Sequence, residues 1–408
     1  MSGILRNKLE ANLWKITISD VFFQTWFISA IYILFFQFLG FNFSAIGLFE
    51  AITSLAIILT DLPTGALGDN IGRKWMVFIA NVFMLLLVLL VGFSTGGMLI
   101  IVLAGLLNGL EFSFKSGSKT ALLYDTLKQL NREDEFLRIS GRINAAGTIA
   151  KLIGLITGAY LFSLNPRFPY WLWAVFIIVS LFFLALIQEP LHANERVSLE
   201  NTLQDMRSSL RYIFENKFVL WLVIFKLIAD VFAESYWDVF SQAHLKELGA
   251  DPAIFGVIFA VLAGVTAIAS YYVDSLEKKL GPNKSWYAMI LVQSGLFFLM
   301  AAAQSWLLLV FFWLLFTTSR EFGLLVNEYY MNQNIPSANR ASILSAGSFL
   351  RNGLFGGGLI IWLFGVSVDN MGGEGTLFLA GVAVLVIGLV FLQIRPRRSD
   401  ALSLGSLE

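Results

Sequence analysis

Ionisable side chains recur inside long apolar runs of this chain, at spacings that place them on shared helical faces. Glu111, Lys115 and Lys119 follow one another in steps of four, and so do Lys226, Asp230, Glu234 and Asp238. Residues four apart stack along one side of a helix. Asp20 lies in an earlier run, and Arg320 and Glu321 in a later one. A charge at membrane depth is expensive, so such groups face a partner or a wet cavity. Two kinds of chemistry fit them. Glu111 with Lys115, and Lys226 with Asp230, are spaced as intrahelical ion pairs that would neutralise one another. The alternative is that carboxylates bind a proton while cations meet an anionic group of a ligand. Asp20, Asp230, Glu234 and Asp238 outnumber Lys226, an excess that favours proton binding over simple pairing. Trp26, Tyr236 and Trp237 crowd the same segments and could line an apolar pocket or contact a cation.

The elements that must carry these residues are membrane helices. Of the 408 residues 57% are hydrophobic and only 14% charged, against roughly a quarter charged in a soluble domain. Apolar runs of about 20 residues recur along the chain, as spanning helices require. Twelve spans are expected, at approximately 13–39, 43–68, 75–94, 98–120, 139–162, 168–188, 217–246, 253–274, 285–304, 306–330, 338–366 and 373–394. Lys and Arg concentrate in the loops on one side, which makes both termini cytoplasmic by the positive-inside rule. The N-terminal segment lacks a small-residue cleavage site, so no removable signal peptide is expected. The chain has no cysteine, which excludes disulfides and thiolate chemistry. His192 and His244 stand apart and read as surface residues, so no metal site is expected. Glu50 and Asp61 in span 2 rank below the other acids, with Arg142, Lys151 and Arg351 as their possible cations or as cations for Asp69.

An internal repeat divides the chain. ISDVFFQTWF in span 1 is echoed by IADVFAESYW in span 7, which makes Asp20 and Asp230 equivalent, and Glu111 and Glu321 fall at the same offset. The expected domains are 1–190 and 217–396, joined by 191–216 and followed by a tail, 397–408. Within the joining stretch Leu199, Leu203, Met206, Leu210 and Ile213 recur at helical spacing, which predicts an amphipathic helix lying along the interface.

Between spans 2 and 3 the chain reads DLPTGALGDNIGRK. Gly65 permits close helix approach, Asp69 can cap a helix or pair with Arg73, and Gly72 allows a tight turn held by Arg73 and Lys74. This stretch resembles the signature loop of the major facilitator superfamily of secondary transporters. Asn70 stands where that family usually has Arg, which leaves Arg73 as the main cation of the loop. The resemblance implies an all-α fold of two six-helix halves and a latch function for the loop. It also implies a central cavity lined by spans 1, 4, 7 and 10, the spans that hold the buried charges.

The expected function is therefore secondary, proton-coupled transport of a small organic solute, zwitterionic or amphipathic, by alternating access. Asp20, Asp230, Glu234, Glu111 and Glu321 are the proton candidates, and Lys115, Lys226, Arg320, Trp26, Tyr236 and Trp237 the cavity candidates. Lys115 and Arg320 are expected to clamp an anionic group. A lipid translocator and a non-cycling receptor or scaffold are the competing readings. No phosphate-binding glycine loop or nucleophile motif is present, so neither an enzyme nor a cofactor is expected. The expected partners are the solute, protons and membrane lipids, not nucleic acid. The chain is read as a monomer of the inner or plasma membrane.

Overall fold

The computed structural model describes residues 3–190, 199–336, 339–351 and 357–396. Among them there is no strand. The helices are α1 (Gly3–Gln24), α2 (Tyr32–Phe38), α3 (Phe43–Ile71), α4 (Arg73–Gly92), α5 (Met98–Lys115), α6 (Ser118–Gln129), α7 (Phe136–Leu164) and α8 (Phe168–Ala185). They continue with α9 (Leu199–Glu215), α10 (Lys217–Ser235), α11 (Ser241–Glu247), α12 (Phe255–Ser270), α13 (Val273–Ala301), α14 (Trp306–Gln333), α15 (Arg340–Phe349) and α16 (Gly357–Gln393). Among the described residues, eight helical segments are long and apolar enough to cross a membrane.

The packing separates into two compact units, the first holding residues up to Phe41, Ile52–Thr202 and Asp251–Val257, the second Asn42–Ala51, Leu203–Ala250 and residues from Ile258 onward. Within a bilayer, apolar side chains gain little by leaving lipid, so helices associate through close packing and interhelical hydrogen bonds. The first unit uses both. Ser19 on α1 and Ser180 on α8 join their hydroxyls at 2.8 Å, and Asn81 on α4 donates to Ser180. Asn12 and the backbone of Gln188 exchange two hydrogen bonds, and the Trp173 indole donates to the Phe23 carbonyl. In the second unit the Trp221 indole of α10 donates to the Phe391 carbonyl of α16, and Ser294 of α13 donates to that of Gly381.

Span 1, expected unbroken, is interrupted between α1 and α2. The break lies against α7, where a Cβ on Gly154 would sit 1.3 Å from the Thr25 carbonyl oxygen and one on Gly158 would sit 1.7 Å from that of Phe27. The two glycines let the α7 backbone lie directly against the broken segment. Trp26, between those carbonyls, adopts a φ of +39°, a left-handed conformation that costs a bulky residue energy. Span 4 is likewise broken, at Ser116–Gly117, where Gly117 has a φ of +70°. Span 8 ends at Ser270, and the chain runs on into α13, which kinks at Gly281 with φ 73°. A second kink, at Gly372 with φ 77°, falls in the expected gap between spans 11 and 12.

The amphipathic helix of the joining stretch is present as α9. Ile213 is fully buried, Arg207 and Arg211 are exposed, and the Tyr212 hydroxyl donates to the Asn334 carbonyl at the end of α14.

Candidate functional site

In the first unit the acid of α1 is neutralised from α6. Lys119 approaches Asp20 Oδ1 to 2.6 Å, and Asp20 is almost entirely buried. Lys115 donates to Glu111 at 3.1 Å, the expected intrahelical pair, and its ammonium also lies 2.9 Å from the centre of the Phe23 ring. Gly147 on α7 faces the other oxygen of Asp20, Oδ2, at 3.2 Å from where a Cβ would be. Lys151 caps the ring of Trp26 at 4.9 Å, a different partner from the acids anticipated for it. Arg142, anticipated beside the same acids, is exposed.

The second unit holds a larger ion-pair cluster. Asp230, 3% exposed, accepts from Arg320 Nε on Oδ1 at 2.5 Å and from Arg351 Nη1 on Oδ2 at 2.9 Å. Two cations on one buried carboxylate satisfy it from both sides. Arg351 also lies 3.8 Å from Glu234. This corrects three expectations. Lys226 makes no ion pair with Asp230, which is held by Arg320 and Arg351 instead. Arg320, anticipated with Lys115 as an anion clamp, is engaged by Asp230. Arg351, anticipated beside the acids of span 2 or Asp69, is held by Asp230.

Beside this cluster lies a cavity of about 660 Å³, lined by Glu234, Trp237, Asp238, Thr266, Arg320 and Glu321 together with the small residues Ala263 and Ala267 of α12. Its volume is in the range that holds a small organic molecule, roughly 300–1,000 Å³. Trp237 and Asp238 reach it from a π-helical turn, Tyr236–Phe240, that interrupts the regular four-residue steps of span 7. Tyr236 does not line this cavity. Its ring is fully buried against Trp313, and its hydroxyl meets His244 Nδ1 at 3.2 Å. His244, read from the sequence as a surface residue, is 3% exposed and stacked on Phe240. His192 lies outside the described residues.

The loop between α3 and α4 is partly described. The side chains of Gly65 and Asp69 lie outside the described residues, so no partner is assigned to them. Gly72 has a φ of +104°, as a tight turn before α4 demands, and a Cβ there would meet the Glu189 carboxyl at 2.9 Å. Glu189, which sequence reasoning missed, accepts from the Lys74 backbone N–H, and the Lys74 ammonium donates to the Ala185 carbonyl. Lys74 is therefore buried against the end of α8 and not held out in the loop. Arg73 is half-buried.

Three comparisons converge on one family. The family model of the Major Facilitator Superfamily matches residues 16–357. The uncharacterized MFS-type transporter YxaM of Bacillus subtilis (strain 168) is 26% identical over 390 residues, covering 91% of this chain and 92% of that protein. Among solved structures, the nucleoside transporter NupG aligns with a TM-score of 0.74 at 16% identity, over 97% of this chain and 100% of its own. A D-xylose-proton symporter aligns with a TM-score of 0.65 at 15% identity, over 98% and 99%. These two likenesses are of fold. Together with the family match, they make this chain a non-enzymatic membrane transporter of the Major Facilitator Superfamily.

Proposed function

We propose that the chain is a proton-coupled secondary transporter that moves a small organic solute by alternating access. In this reading twelve spans form two six-helix halves, 1–190 and 217–396, joined by 191–216 and followed by the tail 397–408. It works as a monomer in lipid, in the cell membrane, with both termini cytoplasmic. The α3–α4 loop, with Gly65, Asp69, Gly72, Arg73 and Lys74, acts as a conformational latch.

One observation carries the reading, the ion-pair cluster of Asp230, Arg320, Arg351 and Glu234 beside a cavity of about 660 Å³. Asp230 is fully committed to two guanidiniums, whereas Glu234 has only a distant share of one and opens on the cavity. Glu234 is thus the group best placed to exchange a proton, with Asp230 holding the arginines in position. A proton on Glu234 removes its attraction for Arg351 and leaves that guanidinium to Asp230. Asp20 plays the matching role in the other half, tied to Lys119. Glu111 and Glu321 are secondary candidates, the first already paired with Lys115 and the second lining the cavity.

Lys115 and Arg320, anticipated as an anion clamp, are each paired with a carboxylate of their own unit. Uptake and efflux of radiolabelled solutes in proteoliposomes, with and without a pH gradient, test the proposal. Accumulation that follows the gradient supports it. Transport indifferent to the gradient removes the proton, and no transport of any solute removes the transporter reading.

A further inference from the structure

The commitment of Asp230 to two arginines leaves one membrane-depth cation over. Lys226 stands one turn before Asp230 on α10. Among the described residues no carboxylate lies within ion-pairing distance of it. Its side chain lines a second cavity, of about 170 Å³, shared with Arg351, Ser348, Asn327 and Glu328. The Asn327 amide donates to the Leu222 carbonyl. Two cations therefore face this space against a single carboxylate, that of Glu328. A cation at such depth normally has a partner, and one that lacks it and opens on a cavity marks a binding position.

We infer that Lys226 and Arg351 form a subsite for an oxyanion of the solute, a carboxylate or phosphate group, with the Ser348 hydroxyl as a further donor. The inference rests on the transporter reading and names the charge class of what is carried. The chemistry suits the pair. Lysine supplies a compact point charge, and the guanidinium has five N–H donors, of which one nitrogen, Nη1, is used by Asp230. The volume is below the roughly 300–1,000 Å³ of sites that take a whole drug-sized molecule, so it accepts a charged group and not an entire solute. The body of the solute has room next door. Arg351 lines the smaller cavity and reaches toward Glu234, which lines the larger one, so both cavities flank the same ion pair. A proton on Glu234 frees Arg351 from a competing carboxylate, so proton and oxyanion favour one another's binding.

The test uses the full-length protein purified in detergent, with four small probes that differ in the charged group. They are benzoate, phenyl phosphate, neutral benzyl alcohol and cationic benzylamine. Binding is read from tryptophan fluorescence and from the rise in unfolding temperature. Saturable binding of benzoate or of phenyl phosphate, but of neither uncharged nor cationic probe, is expected, and the tighter of the two identifies carboxylate or phosphate. Lys226→Gln should weaken that binding about tenfold or more, the worth of a hydrogen bond to a charged group. Lys226→Arg should retain it.

The absence of native cysteine gives a second measurement that does not depend on comparing folds. Lys226→Cys, treated with 2-aminoethyl methanethiosulfonate, regains an ammonium and should regain binding, while the methyl reagent should not restore it. Failure of the wild type to bind either anion, or binding by Lys226→Gln equal to wild type, overturns the inference. Because the readout needs no gradient and no vesicle, such a failure leaves the transport result untouched, and a failed transport assay leaves this one readable.

Discussion

Arg320 donates from Nε to Oδ1 of Asp230 at 2.5 Å, joining α14 to α10 across ninety positions of sequence. With Arg351 on the other oxygen, the carboxylate becomes the centre of the charged cluster in its unit. Removing Asp230 would leave two guanidiniums without their shared carboxylate, and removing Arg320 with it would leave only one, that of Arg351.

Asp230→Asn should therefore destabilise the protein by roughly 3–5 kcal/mol, the usual cost of breaking a buried pair from one side. The double variant Asp230→Asn with Arg320→Gln should recover part of that loss. Unfolding in detergent, analysed as a double-mutant cycle, measures the coupling. Additive losses would mean that the two residues do not act as a pair.

Glu234→Gln should behave differently, because Glu234 is only 3.8 Å from Arg351 and opens on the cavity. Stability should change little, while accumulation driven by a pH gradient should be lost and solute exchange at equal pH retained. Proteoliposome uptake under both conditions separates the two. Persistence of accumulation with the pH dependence of wild type would place the proton elsewhere, with Asp20, Glu111 or Glu321 next.

Gly158→Ala should be among the most damaging single methyl additions in α7. Its Cβ would stand 1.7 Å from the backbone oxygen of Phe27, and backbone cannot swing aside as a side chain can. A loss of about 1–3 kcal/mol or more is expected. Gly141→Ala on the same helix meets nothing within 4 Å and should gain up to about 1 kcal/mol from helix propensity. Unfolding midpoints of the two variants decide it.

The turn before α7 should show an acid-side pH dependence. The Glu135 carboxyl, hydrogen-bonded first by Arg132 and then by Arg138, is held down to a pKa of about 2 from the ordinary 4.5. A depressed folded pKa means that the clasp contributes fully above pH 4.5 and is lost as pH falls through about 2. Once intrinsic rates are corrected for pH, backbone amide exchange around 132–138 should stay constant from neutral pH to 4.5 and quicken below it. Glu135→Gln should show the faster exchange already at neutral pH.

Gly72→Ala should disturb the α3–α4 turn through both its φ of +104° and the Glu189 carboxyl 2.9 Å away. A left-handed position costs a non-glycine residue about 1 kcal/mol or more. Combining it with Glu189→Ala should relieve the collision but not the backbone strain. Transport equal to wild type in Gly72→Ala would show that the loop has no latch function.

Much of this protein is legible in its sequence because the bilayer imposes simple rules. Helix length follows membrane thickness, and residues four apart share a face, so the limits of α3, α4, α8 and α14, to within a few residues, and the Glu111–Lys115 pair are read directly. The α3–α4 motif pointed to the family. Which cation meets which acid was not legible. Asp20 and Asp230 are equivalent in the repeat, yet Asp20 is met by Lys119 of α6 and Asp230 by Arg320 and Arg351 of distant segments. Ion pairing between helices depends on their rotation and on local breaks. Those are set by contacts such as Gly154 against the Thr25 carbonyl and by the π-helical turn at Tyr236–Phe240. A one-residue change of winding turns every later side chain by about 100°, so Tyr236 enters the core and Trp237 the cavity. Composition and period determine that these residues lie in membrane helices. Only the packed backbone decides which way each of them points, because rotation about a helix axis leaves no mark in the sequence of that helix alone.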